Sequence, residues 1–294
     1  MGRTDLFSQL EAERKVLVFG HRGFSQEYPE NTMISFSKAA ENPLVDAVEL
    51  DVHLCKSGEV VVAHDFSLKR TAGIDCEIED LTLDELKDID VGSFKDPVFK
   101  DARVPRLSEL LSTFGARFYY DIELKVKAWD VNRTLSRKVA NLIEEFGLQQ
   151  RVLISSFNPF ALGAFNRISR RAFPSADIFE QAPSIPKPLR NGAGRIVSRA
   201  SYQKPGFRQV DASYIETHGK LPIITWTVNE RSEAERLLAL NTASKDGRMH
   251  SPTLRCVQTS AYCSILLSRW MFPSHTSGRV SISWVRKAIR IAIL

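Results

Sequence analysis

Three features of this chain predict an α/β fold of repeating parallel βα units. Short apolar runs that read as strands lie near residues 16, 47, 60, 118, 152, 176 and 222, and helical periodicity follows most of them. Strands alternating with helices pair in parallel, because the helix carries the chain back to the start of the next strand. A length of 294 residues with 43% hydrophobic content is enough to bury one large core. The histidines and carboxylates for which strand periodicity has no use collect at the carboxyl ends of these runs or just before them, and periodicity alone does not require that.

The first run, 16–20, stops abruptly at His21-Arg22-Gly23, a charged tip that faces solvent if the run is buried. Pro29-Glu30-Asn31-Thr32 then starts a helix with Asn31 or Thr32 as its cap and Ile34, Phe36 and Ala40 turned inward. In 46–55 the side chains alternate, so Glu49 and Asp51 share one face. Lys56-Ser57-Gly58-Glu59 reads as a tight turn into a second β-rich run that ends at His64-Asp65. A hairpin centred on Ser57-Gly58 pairs Lys56 with Glu59 and sets Asp51 opposite His64.

From 66 to 105 the alternation lapses, and the capping-box pattern Thr82-x-x-Glu85 marks a small helical insertion. The strand 118–125 puts Asp121, Glu123 and Lys125 on one face. Its helix carries Val131, Leu135, Val139, Leu142, Ile143 and Phe146 at helical spacing and ends at Gly147. The strand 152–156 is followed by Asn158-Pro159, a cap and first-turn proline in the usual order. Residues 176–179 form a short strand, 181–210 read as a long Pro/Gly-rich loop, 222–228 as a strand and 230–240 as an amphipathic helix.

In this order and spacing, His21-Arg22-Gly23, Pro29-Glu30-Asn31-Thr32, Glu49-Leu50-Asp51-Val52 and His64-Asp65 with Leu68-Lys69-Arg70-Thr71 resemble the glycerophosphodiester phosphodiesterase family. Asp121 to Lys125, Ser155 to Asn158 and Thr225 to Asn229 match as well, so the resemblance covers about residues 15–240. It implies a TIM-type (β/α)8 barrel of the phospholipase C-like phosphodiesterase kind, with the site at the carboxyl ends of the strands. It also implies metal-assisted hydrolysis of a small glycerophosphodiester to sn-glycerol 3-phosphate and an alcohol.

The residues support that chemistry on their own terms. Glu49, Asp51 and Glu123 are hard oxygen donors of the kind that hold Mg²⁺ or Ca²⁺. Any one of them alone is more simply a solvated strand-end carboxylate; the trio beside two histidines is not, and the resemblance implies the same ligands. Histidine is the side-chain type suited to proton transfer near neutrality, and the resemblance makes His21 and His64 the catalytic pair. Arg22 and Lys125 are the cations for phosphate oxygens. Glu30 and Asn31 either only cap a helix or, as the resemblance implies, belong to the site, Glu30 near the metal shell. Phe157 and Trp226 are either core or a wall for the glycerol.

The net charge of +5 misleads: residues 241–294 hold eight Lys/Arg against one Asp, which leaves the body at −2. The body therefore shows no nucleic-acid footprint. No run of about 20 apolar residues spans a membrane. The four cysteines lack metal-ligand spacing and read as free thiols, and the absence of an apolar leader predicts a cytoplasmic protein. The family's final strand, of the form Gly-Val-Asp-Gly-Ile-Ile-Thr-Asp-x-Pro, is missing or replaced after Leu240.

The 241–294 tail has nine serines and no glutamate, the composition of a shifted reading frame. Taken as an evolved tail, 284–294 is basic and amphipathic enough to lie on an anionic membrane, which favours a lysophospholipid substrate. A period-two run at 280–284 offers a substitute strand. Without one, seven strands leave the edges near Val16 and Ile223 unpaired, and the barrel folds poorly.

Overall fold

The computed structural model describes residues 17–127, 133–218, 221–242 and 254–259. Eight strands form one closed ring: β1 (Leu17–His21), β2 (Ala47–Leu54), β4 (Tyr119–Leu124), β5 (Val152–Ser156), β6 (Ser175–Phe179), β7 (Tyr202–Pro205), β8 (Ile223–Thr225) and β9 (Leu254–Thr259). The neighbour order runs β1-β9-β8-β7-β6-β5-β4-β2, and β2 pairs back onto β1. Every pairing in the ring is parallel. The helices are α1 (Met33–Glu41), α2 (Lys69–Ala72), α3 (Leu83–Asp88), α4 (Leu107–Phe114), α5 (Thr134–Glu145), α6 (Pro159–Ile168), α7 (Gly194–Ser198), α8 (Ala212–His218) and α9 (Arg231–Thr242).

The barrel is as expected, but three strand assignments change. The run near residue 60 is β3 (Val60–Val62), which pairs antiparallel with β2 and stands outside the ring. The 181–210 stretch, expected to be a loop, contains α7 and the barrel strand β7. The strand is only four residues long, ends in Pro205 and is surrounded by further prolines and glycines, so local composition hid it. The edges expected near Val16 and Ile223 are not left open. β9 lies between β1 and β8, with Leu17 opposite Cys256 and Ile223 opposite Leu254. A parallel ladder is made by backbone groups, so Leu-Arg-Cys-Val-Gln-Thr fills the slot without the family's final pattern. The other substitute strand, at 280–284, and the membrane-lying segment at 284–294 lie outside the described residues, as does Val131.

Two apolar layers divide the barrel. Outward-facing Val48, Leu50, Val52, Ile122 and Ile154 pack under Phe36, Leu110, Val139 and Leu162 from the helices. Inside the ring, Leu17, Phe19, Ala47, Leu153, Ala176, Tyr202 and Ile224 form an apolar floor at the amino-terminal half of the strands. The segment after β3 has its own small core of Val61, Leu68, Ile78, Leu86 and Val104, and the Thr82–Glu85 capping box is present. Cys55 and Cys76 are free thiols. Among the described residues no helix is long and apolar enough to cross a membrane.

α1 is turned by one residue from its expected face: Ser35, Phe36 and Ala39 are buried, while Ile34 and Ala40 are half-buried. The cause is the turn above it. Gly23 has φ +83°, a Cβ there would meet Ser35 Oγ at 2.5 Å, and Ser35 Oγ donates to the Arg22 carbonyl at 3.1 Å. Close approach of helix and turn selects the small serine for the inner face.

Candidate active site

Above the apolar floor, strand alternation carries the same inward face upward into charge. His21 follows Leu17 and Phe19 on β1, Glu49 and Asp51 follow Ala47 on β2, and Asp121 and Glu123 follow Tyr119 on β4. Register brings them level: His21 lies beside Glu49, and Asp51 beside Glu123. The ligand oxygens of Glu49, Asp51 and Glu123 all fall within 4.8 Å of one another. A separate groove of about 440 Å³ lined by Glu41, Asp46, Arg117 and Tyr119 lies at the amino ends of the strands, away from this cluster.

The hairpin register differs from the expected one. Val52 pairs with Val62, and the Ala63 amide donates to the Asp51 carbonyl, so Asp51 stands opposite Ala63 and not His64. The connection is a three-residue loop rather than a two-residue turn. The Gly58 amide closes on the Cys55 carbonyl at 2.8 Å, the Cys55 amide on the Glu59 carbonyl at 3.0 Å, and Gly58 takes φ +92°. A turn followed by a left-handed glycine adds one residue and shifts the pairing by one. His64 comes to the site from beyond the end of β3, in the loop that follows.

The loop after β1 is held in an unusual backbone shape. Arg22 (φ 56°) and Asn31 (φ 55°) are left-handed without being glycine, each a conformation that stores of order 1 kcal/mol. Hydrogen bonds hold it: the Arg22 amide donates to the Glu49 carbonyl at 3.0 Å, and the Asn31 amide to the Arg22 carbonyl at 3.0 Å. Thr32 is the helix cap, its hydroxyl accepting from the Ser35 amide. That leaves Asn31 free for the site, where its Nδ2 donates to Asp51 Oδ2 at 2.8 Å.

The cluster carries more negative than positive charge. Lys125 Nζ lies 2.7 Å from Glu123 Oε1 and 3.1 Å from Asp51 Oδ1, and Arg22 Nε lies 3.5 Å from Asp51 Oδ2. Burial raises the Asp51 pKa, but Lys125, His64 and Arg22 outweigh it and hold the carboxyl below the usual range. Glu49 goes the other way: burial, then the neighbouring Asp51, push it well above that range. Asp51 Oδ1 is buried and within ion-pair reach of Lys125, yet outside hydrogen-bond geometry. Three converging carboxylates, one of them with a buried oxygen outside hydrogen-bond geometry, fit a hard divalent cation. Lys125 and Arg22, expected on phosphate oxygens, here lie against these carboxylates.

His21 Nε2 lies 3.7 Å from Glu49 Oε2, and burial followed by the adjacent Arg22 lowers its pKa well below the ordinary histidine value. His64 Nδ1 lies 2.6 Å from Asp65 Oδ1. Glu30 binds Arg22 at 2.9 Å and Arg70 at 2.6 Å, so it reaches the cluster through Arg22. Phe157 and Trp226 are half-buried and meet edge-to-face at 5.5 Å.

Beneath the cluster lies a group that strand periodicity did not reveal. Lys204 Nζ lies 2.8 Å from Asp121 Oδ2 and donates to Ser155 Oγ at 3.2 Å, and Ser155 Oγ donates to Asp121 Oδ1 at 2.6 Å. All three are buried. Asp121 was legible on the face of its strand, whereas Lys204 sat in the stretch read as loop. Only the four-residue run Tyr-Gln-Lys-Pro could have pointed to it.

Comparison with known proteins follows the same residues. The model of the glycerophosphoryl diester phosphodiesterase family matches residues 21–244. A glycerophosphodiester phosphodiesterase of Caldanaerobacter subterraneus is 30% identical over 234 residues, which cover 76% of this chain and 90% of that protein. Among solved structures, the putative glycerophosphoryl diester phosphodiesterase of Silicibacter pomeroyi superposes with a TM-score of 0.71 at 23% identity, covering 88% of this chain and 95% of that one. An Oleispira antarctica phosphodiesterase, solved with the product sn-glycerol-3-phosphate, superposes with a TM-score of 0.68 at 24% identity, covering 88% and 98%.

Proposed function

The chain belongs to the glycerophosphoryl diester phosphodiesterase family and is a phosphoric diester hydrolase, and on that premise we propose that it cleaves small glycerophosphodiesters to sn-glycerol 3-phosphate and an alcohol with the help of a divalent cation. The observation that carries the metal-assisted reading is the convergence of Glu49, Asp51 and Glu123 at the mouth of the barrel.

Glu49, Asp51 and Glu123 are the residues that would hold a Mg²⁺ or Ca²⁺ ion, which when bound would supply Lewis-acid charge stabilisation to the hydrolysis. The protein's own groups do the rest. Arg22, anchored by its amide to β2 and by Glu30 through its guanidinium, offers a planar donor fork to the phosphate. Lys125 neutralises charge on the same side. His21 and His64 divide the proton transfers, one taking the proton of the nucleophile and the other protonating the leaving alkoxide. His21 is neutral near pH 7, because burial opposes its charging. Phe157 and Trp226 give the glycerol an apolar wall.

The test is hydrolysis of glycerophosphocholine with purified protein. Excess EDTA followed by dialysis abolishes turnover, and Mg²⁺ or Ca²⁺ restores it. His21→Ala and His64→Ala each lower kcat by about two to four orders of magnitude. Full activity after chelation overturns the metal role. A histidine variant that keeps more than about a tenth of kcat removes that residue from the proton transfers.

A further inference from the structure

We infer that Arg70, on α2 outside the barrel, is a positioning residue that locks His64 and Arg22 into working orientation. The inference rests on the proposed roles of those two residues. One guanidinium spans two carboxylates on separate loops. Its Nε donates to Asp65 Oδ2 at 2.6 Å, and its two terminal nitrogens donate to Glu30 Oε2 at 3.0 Å and Oε1 at 2.6 Å. The face of the guanidinium lies 5.8 Å from the centre of the Phe94 ring, a second contact that limits its rotation.

Each carboxylate has its other partner inside the site. Asp65 Oδ1 lies 2.6 Å from His64 Nδ1, and Glu30 Oε1 accepts from Arg22 at 2.9 Å. An ionised Asp65 accepts only, so Nδ1 carries the hydrogen and Nε2 is left for proton exchange with substrate. The chain His64–Asp65–Arg70–Glu30–Arg22 therefore ties the loop after β3 to the loop after β1, and the described strand pairings do not join these two loops.

A merely structural ion pair at this depth is worth little. The Arg70 side chain is 44% exposed, and solvent screens exposed pairs of this kind. What sets Arg70 apart is geometry. Two carboxylates at different bearings need a planar fork, which lysine lacks. Outer partners of this kind change activity by about 10–100-fold when removed, with little change in fold.

The experiment compares Arg70→Ala and Arg70→Lys with the parent chain in steady-state kinetics on glycerophosphocholine, thermal melts, and long-range ¹⁵N NMR of the His64 imidazole. Arg70→Ala is expected to lose about 10–100-fold in kcat with a smaller change in KM and to melt within a few degrees of the parent. Tens of millimolar guanidinium should restore part of its turnover, and Arg70→Lys should not recover it. The Nδ1–H signature of His64 should weaken in Arg70→Ala. A kcat above half the parent value, or a loss that guanidinium does not rescue with the His64 signature unchanged, overturns the inference. His64→Ala, measured alongside, keeps the two readings apart. Full turnover in that variant removes His64 from the chemistry, while the NMR comparison still decides whether Arg70 holds the imidazole.

Discussion

Lys204→Met isolates the buried charge beneath the candidate site. The substitution keeps the length of the side chain and removes the ammonium that lies 2.8 Å from Asp121. Lys204 is 1% exposed and Asp121 fully buried, so losing the ammonium leaves the Asp121 carboxylate without this buried countercharge, with the Ser155 hydroxyl still donating to it. Breaking a buried pair from one side destabilises by about 3–5 kcal/mol, because an uncompensated charge stays behind. At about 2–4 °C per kcal/mol for a domain of this size, the melting temperature should fall by roughly 6–20 °C. Adding Asp121→Asn to Lys204→Met removes the stranded charge and should recover most of that loss. Recovery should fall short of complete, since the ammonium also offsets Glu49 and Glu123. Calorimetry and urea titration of the two single variants and the double variant give the coupling directly. A single variant that loses less than about 1 kcal/mol, or a double variant no more stable than Lys204→Met, refutes the argument that this pair balances charge inside the barrel.

Two further outcomes follow from the same kind of reasoning. Burial lifts the Asp177 carboxyl to about 7, against an opposing hydrogen bond from the Arg195 amide. The folded state thus binds its proton more tightly than the unfolded state does, and stability falls as pH rises from about 4 to about 7, then levels off, a change of up to about 4 kcal/mol. Asp177→Asn should match the parent near pH 4, gain on it up to about pH 7 and keep a constant lead above that; a pH-independent difference in melting temperature counts against this. Val257→Pro removes a ladder donor from β9, which has neighbours on both sides, and should cost about 3 kcal/mol or more and promote aggregation. Unchanged melting and a monomeric elution profile in that variant rule out β9 as the closing strand.

The local sequence determined the parts of this protein that depend on short-range periodicity. Alternation alone put Glu49 with Asp51 and Asp121 with Glu123, since a strand turns every second side chain to one face whatever it pairs with. The Thr82 capping box and the Asn158 cap were equally legible, each being satisfied within about three residues. Tertiary structure decided everything that needed a distant partner. A left-handed Gly58 set Asp51 against Ala63 and sent His64 into a loop, a one-residue difference that no hydrophobic pattern specifies. β7 and β9 exist because open neighbours accept their backbone groups, and with β7 came Lys204, whose partner Asp121 is distant in sequence and adjacent in the ring. Arg70 gained its place in the same way, 40 residues from Glu30. Side-chain direction is a local property of the backbone, whereas the identity of the group it meets is set only when the barrel closes.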